Sequence, residues 1–364
     1  MTKLNVKLEE VDENYLYRKN VIKLGDITVE TPINSTDTKS VHSKINEIFK
    51  NINFENLEHA IKIDETELGQ KFRENKLVDS INFPIVNYTD TVFPTDKHME
   101  MLADLCWSGG DVIVTPSWSK ISTTYEGEEL LEKIISLNSR FVERAHMKNN
   151  KSLIGIIPIT FPRFYLEALI DSYYDEGITS FIIDCNGRRS IDTGAKKATW
   201  IRELIIQLDQ RNENGFLYSI NPLEGRFDKK RSLTPAKDYI SHSYGIDILG
   251  LNHISPNLPP DVWKEISKGE KTYKIFDRET YGYQRLSDSN LRQFGEHCLQ
   301  NNRIGDDNLL RRACNIEEKN KENLVLKQEL DENKSLKGYI SSKPFADEKA
   351  LEKTSEYRKI VYKK

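Results

Sequence analysis

Three apolar runs in the chain each end in polar residues able to handle a proton or read a ligand's edge. Phe181-Ile182-Ile183 leads into Asp184-Cys185-Asn186-Gly187. FLYSIN (216–221) ends at Asn221, with Leu223, Glu224 and Gly225 following. IDILGLN (246–252) ends at Asn252, next to His253. A carboxylate at Asp184 suits general acid/base work or hydrogen bonding to a ligand's amide edge, with Asn186 beside it. It equally suits a loop carboxylate that caps its turn or pairs with Arg188. Asn221 and Glu224 could hold a ligand that Gly225 allows close to the backbone, or they could simply build an Asn-Pro turn. His253 reads as a base, a phosphate contact or a histidine hydrogen-bonded in place. A fourth run, LIGIIPI (153–159), delivers Thr160.

Basic residues gather after two of these runs. Arg188, Arg189, Lys196 and Lys197 follow the first, and Arg226, Lys229, Lys230 and Arg231 follow the second. On a chain of formal charge −4 such local clusters suggest a docked polyanion, although solvated loop charge gives the same pattern. Trp118, Phe161 and Phe227 fall near the same strand ends, where base stacking is conceivable.

Strand-like and helix-like segments alternate at about 30 residues per unit through the middle of the chain, as a parallel sheet covered by helices requires. The order is DVIVTPS (111–117), a helix over 130–147, LIGIIPI, a helix over 163–176 ending at Gly177, ITSFIID (178–184), a helix over 196–211, FLYSIN, a helix over 235–245, IDILGLN and TYKIFD (272–277). So many consecutive units, with no GxGxxG after any strand, favour an α/β (β/α)8 TIM barrel over a doubly wound sheet. In that fold the strand ends above share one functional face. Residues 1–40 read as a β-rich segment leading into a barrel domain at 41–285, with 41–75 amphipathic and helical. A charged helical extension follows at 286–330, then a loosely held tail at 331–364.

Composition sets outer limits. With 364 residues, 37% hydrophobic and 30% charged, the chain is in the globular range. No apolar run approaches the roughly 20 residues that span a bilayer, and the N-terminus lacks a signal-peptide core, so the expectation is a cytoplasmic protein with no membrane contact. Cys106, Cys185, Cys298 and Cys314 form no CxxC, and the seven histidines are dispersed, so neither a metal site nor a cofactor is expected.

Several segments, in order, resemble tRNA-guanine transglycosylases, the queuine and archaeosine tRNA-ribosyltransferases and their DNA-modifying relatives. VIKLGDITVETPINSTDTKS (21–40) resembles the family's opening hairpin and V-x-TP stretch. TVFPTDKHMEMLADLCWSGGDVIVTPS (91–117) is similar to its LTPE-type helix and following strand, and LIGIIPITFPRFYLEALIDSYYDEGITSFIIDCNG (153–187) to its GIVQGG segment, helix and next strand. GFLYSINP, YGIDILGLN and KIFDRETYGYQRL follow in the family's order, so the resemblance spans about residues 15–320. It implies a TIM barrel that exchanges guanine for a 7-deazaguanine-type base in tRNA or DNA, a pentosyl transfer needing a nucleic acid and a small purine-like base, in a homo- or hetero-oligomer. By the same resemblance Asp79 in VDSINF matches the aspartate of the family's DSGGF motif, and Asp79 and Asp184 become the catalytic carboxylates. The family's nucleophilic aspartate falls on Gly250, its base-reading glutamine near Pro158 to Thr160, and its late histidine on Cys314, while the CxCxxC zinc cysteines are absent. A non-catalytic nucleic-acid-binding or partner subunit is therefore the alternative.

Overall fold

The computed structural model describes residues 3–63, 65–148, 151–190, 203–207, 214–254, 259, 261, 271–299 and 304–362. An antiparallel sheet of β1 (Asn5–Val11), β2 (Arg18–Leu24) and β3 (Ile27–Glu30) opens the chain. A six-stranded sheet then runs β4-β12-β10-β9-β8-β7, made of β4 (Ile33–Asn34), β7 (Ile113–Val114), β8 (Leu153–Pro158), β9 (Phe181–Arg188), β10 (Leu217–Pro222) and β12 (Ile248–Leu249). Every pairing within it is parallel. Two further strands, β5 (Ile45–Ile52) and β6 (Ile81–Tyr88), pair in parallel from Ile45↔Ile81 to Ile52↔Tyr88. Single parallel bridges connect that pair to both outer ends of the larger sheet, Thr36↔Asn46 beyond β4 and Asn87↔Ser117 beyond β7.

These sequences make strands because they are β-branched runs buried on both faces. Alternation sends Ile182, Tyr218, Ile220 and Ile248 into one apolar cluster with Phe83, Ile85, Ile154 and Ile156. It sends Phe181, Ile183, Leu217 and Leu249 into a second cluster, shared with α3 (Asp96–Gly109), α5 (Gly127–Met147) and α6 (Leu166–Asp175). Ahead of these, α1 (Phe54–Lys62) and α2 (Glu65–Arg73) link β5 to β6, and the short α4 (Ile121–Thr124) precedes α5.

Four expectations change. Residues 45–52, expected helical, form β5. Residues 239–244, expected as α-helix, form a 3₁₀ helix ending at Gly245 (φ 89°), with Ser241 and Ser243 hydroxyls bonding back to Asp238 and Ile240 carbonyls. TYKIFD, expected among the parallel strands, is β13 (Tyr273–Asp277) of a separate antiparallel sheet with β14 (Gly282–Leu286) and β11 (Thr234–Pro235). Its hairpin turn is fixed by the Asp277 carboxylate, which accepts from Glu279 N (3.0 Å) and Thr280 Oγ1 (2.7 Å). The expected loose tail instead packs, after α7 (Asp288–Cys298) and the 27-residue α8 (Asp307–Asn333), as α9 (Lys337–Ser341) and α10 (Glu348–Val361). Ile340, Leu351, Tyr357 and Val361 are buried there. Of the expected helix over 196–211, residues 203–207 are helical and the rest lies outside the described residues.

Candidate functional site

Asp184 is buried on β9, facing the C-terminal ends of the parallel strands. Its Oδ1 accepts from Asn186 N (2.9 Å) and Asn221 Nδ2 (2.9 Å), and its Oδ2 accepts from Ser117 Oγ (2.7 Å). Asn221 reaches it because the β10–β9 register breaks between Ile220 and Pro222, and Asn221 itself takes φ 55°, a left-handed conformation that asparagine tolerates. The Asn221 Oδ1 accepts from His253 N (2.9 Å), so one amide ties Asp184 to the chain after β12.

His253 leads to a second buried carboxylate. Its Nε2 lies 2.6 Å from Glu47 Oε2, and since a carboxylate only accepts, that nitrogen carries the proton. The Phe49 ring stacks on the imidazole, 4.4 Å between centroids and 5° from parallel. Glu47 Oε1 also accepts from Ser35 Oγ (2.7 Å), from the Tyr218 hydroxyl and from Leu251 N (3.2 Å). Burial, with Glu47 beside it, pushes the Tyr218 phenol well above its usual range, so it remains a donor.

The Glu47 carboxylate lies against Gly250. A Cβ on residue 250 would sit 2.4 Å from Glu47 Oε1 and 2.5 Å from Ser219 O. Only a glycine leaves room for this carboxylate, and the carboxylate fills the space that a side chain at 250 would take.

The structure gathers Asp184, Asn186, Asn221 and His253 of the residues expected from sequence. Thr160 lies just beyond β8 with its hydroxyl buried and unpartnered among the described residues. Asn252 is exposed and its side chain caps Ile254 N (3.0 Å). Glu224 pairs with Lys274 Nζ (2.6 Å). Asp79 is not brought to this group: it is exposed in the turn before β6, at the N-terminal end of a strand whose far end, Asn87–Tyr88, meets Ser117. Eight residues of strand, roughly 26 Å, separate it from that face. Trp118 and Phe161 are corrected, because both are buried in the core and Trp118 Nε1 donates to Asn138 (2.8 Å). Phe227 is exposed beneath the Arg285 guanidinium.

Arg188 is exposed, and Arg189 Nε donates to Glu224 O (3.3 Å). Arg226, Lys229, Lys230 and Arg231 are exposed on a turned-back loop between β10 and β11, clamped by Gly225 N to Pro235 O (2.8 Å) and Asp228 N to Leu233 O (2.8 Å). Lys196 and Lys197 lie outside the described residues. Among the described residues no His/Cys/Asp/Glu group could hold a metal ion, and no helix is long and apolar enough to cross a membrane.

Sequence reasoning missed Glu47, Ser35, Phe49 and Tyr218, and placed Ser117 only as the end of the strand at 111–117. A charged residue flanked by Ile45 and Ile48 is the one local signal for Glu47, and its helical spacing pointed elsewhere. No protein-family model matches the chain, and no curated protein does.

Proposed function

We propose that the parallel strands close in the order β4-β5-β6-β7-β8-β9-β10-β12 as a (β/α)8 barrel, and that its C-terminal mouth exchanges a purine base in tRNA or DNA. The bridges Thr36↔Asn46 and Asn87↔Ser117 support the closure, because each attaches the β5–β6 pair to one end of the six-stranded sheet. Barrels of this kind carry their chemistry at the C-terminal face, where Asp184, Asn221 and His253 stand.

One observation carries the reading. The resemblance to tRNA-guanine transglycosylases puts a nucleophilic carboxylate at position 250, and here the Glu47 carboxylate occupies the space over Gly250. In this reading Glu47 bonds to the sugar C1′ as the C1′–N9 bond of guanine breaks. The bonding electrons leave with the purine, which takes up a proton. The nitrogen of the incoming 7-deazaguanine-type base then attacks C1′, displaces the carboxylate and loses a proton, so the exchange balances without a redox partner. Asp184, oriented by Asn221 and Ser117, reads the purine edge. The exposed loop with Arg226, Lys229, Lys230 and Arg231 holds phosphates. Substrate access requires His253 to leave Glu47.

A specific observation favours a second reading, a barrel that binds nucleic acid without exchanging bases. Both oxygens of Glu47 and of Asp184 already accept hydrogen bonds, and His253, with Phe49 stacked on its ring, bonds to Glu47. Exchange of radiolabelled guanine into tRNA and into duplex DNA separates the two. Incorporation that disappears in Glu47→Gln supports exchange, whereas polynucleotide binding with no incorporation supports the second reading.

A further inference from the structure

A cavity of about 160 Å³ lies between the C-terminal ends of β10 and β12 and the helix α8. Gly250, Leu251 and Asn252 form one wall and Arg311, Arg312 and Lys319 the other. Most of the charge around it is matched. Arg312 pairs with Asp37, Lys319 Nζ with Asp238 Oδ2 (2.8 Å), and Lys274 with Glu224 (2.6 Å). Arg311 has no hydrogen bond or ion pair among the described residues, although it is only partly exposed. Three cations and two carboxylates line the cavity, and Arg311, which feels the charge of Glu224, is the one lining cation without a bonded carboxylate among the described residues.

Asn34 and Asp238 also line the cavity, but their Oδ1 atoms, which have no partner among the described residues, are closed to solvent and do not face the space. A guanidinium with no bonded partner calls for an anion with paired oxygens. Asn315 is not available to a ligand, since its amide already bridges Lys274 O (2.9 Å) and Phe276 N (2.7 Å).

We propose that this cavity is a phosphate site, with Arg311 as its anchor and Arg312 and Lys319 beside it. Ligands of that chemistry include a free sugar phosphate and the terminal phosphate of a polynucleotide. Arg311 has no hydrogen bond or ion pair among the described residues whether or not bases are exchanged, so the proposal does not rest on the catalytic reading although the cavity shares Gly250 with that site.

Thermal melts at matched ionic strength test it, using inorganic phosphate, ribose 5-phosphate, ribose and a 5′-phosphorylated dinucleotide as probes. Saturable stabilisation by inorganic phosphate and by ribose 5-phosphate, absent with ribose, is expected, because a ligand that binds only the folded state raises its stability. Apparent affinity falls at least tenfold in Arg311→Gln and less in Arg311→Lys. Tighter binding of the dinucleotide than of ribose 5-phosphate assigns the polymer as the source, and the reverse assigns the small ligand. In case Arg311→Gln does not fold, phenylglyoxal labelling of the native chain provides a second readout, with Arg311 expected to be protected by phosphate. Shifts equal in ribose and ribose 5-phosphate, binding untouched by Arg311→Gln, or labelling of Arg311 that phosphate does not slow would each overturn the proposal.

Discussion

Glu47 is a charge taken out of water, and four groups hold it there: Ser35, Tyr218, the Leu251 amide and His253. Removing one partner of such a buried charge costs several kcal/mol, since the other is left uncompensated. Gly250 belongs to the same arrangement through its missing side chain. Gly250→Ala places a methyl 2.4 Å from Glu47 Oε1 and 2.5 Å from a backbone oxygen that cannot retreat. Urea denaturation is expected to show a loss of about 1–3 kcal/mol for this overpacking. Truncating the carboxylate relieves one of three close contacts, the others being with Ser219 O and, at 2.9 Å, the Tyr218 ring, so the cost in a Glu47→Ala background is smaller, a coupling that a double-mutant cycle measures. Equal cost in both backgrounds would mean that Glu47 does not fill the space over residue 250.

At the scale of elements, the turned-back loop between β10 and β11 carries Lys229, Lys230 and Arg231 beyond the strand ends, with Asp228 holding its turn through Lys230 N (2.9 Å). Charge reversal at Lys229 and Lys230 should leave stability within about 0.5 kcal/mol, because both side chains are exposed. Polynucleotide affinity should fall, and the slope of log K against log salt should become shallower by about 0.9 for each lost phosphate contact on duplex DNA. An unchanged slope would remove this loop from the interface. Elements differ in how well the chain announces them. β8, β9 and β10 are apolar runs closed by polar residues, and that pattern alone places Asp184 and Asn221 at strand ends, as the run through Leu249 does for His253. β5 is hidden because Ile45, Ile48, Phe49 and Ile52 fall at i, i+3, i+4 and i+7, the spacing of a helix face. Parallel pairing with β6 overrides that pattern, and Glu47 is lost with the strand. The turn before β6 looks like a site only through resemblance, and its Asp79 lies at the opposite end of the strand from Asn87 and Tyr88.

For the whole molecule, the C-terminal helices tie the two ends of the chain together. Glu13 N donates to Lys334 O (3.0 Å), Leu16 N to Ser243 O (3.0 Å), and Thr354 Oγ1 to Ser243 O (2.6 Å). These polar contacts are long-range pairings that no local pattern reveals, which is why the charged segment reads as a tail. Next to them His242 is fully buried, its Nδ1 on Ile246 O (2.7 Å), and burial pushes its pKa from 6.5 down to about 4. The unfolded chain takes up a proton near pH 6.5, whereas the folded chain resists until about pH 4. Between those values the unfolded state binds more protons, so stability falls as pH drops and this group's contribution is flat below the window. The loss is about 3 kcal/mol over the whole window. Denaturation midpoints taken from pH 7 to pH 4 should fall more steeply for the native chain than for His242→Asn, and parallel curves would contradict a buried neutral histidine.

The central claim is that a carboxylate carried by β5 does the work expected of residue 250. Guanine exchange by Glu47→Gln, compared with the native chain on the same tRNA and DNA and with folding checked by circular dichroism, tests it most directly. Loss of incorporation by at least a hundredfold in a folded Glu47→Gln variant is the predicted result. Native-level incorporation by that variant, or none by the native chain on either substrate, would contradict it.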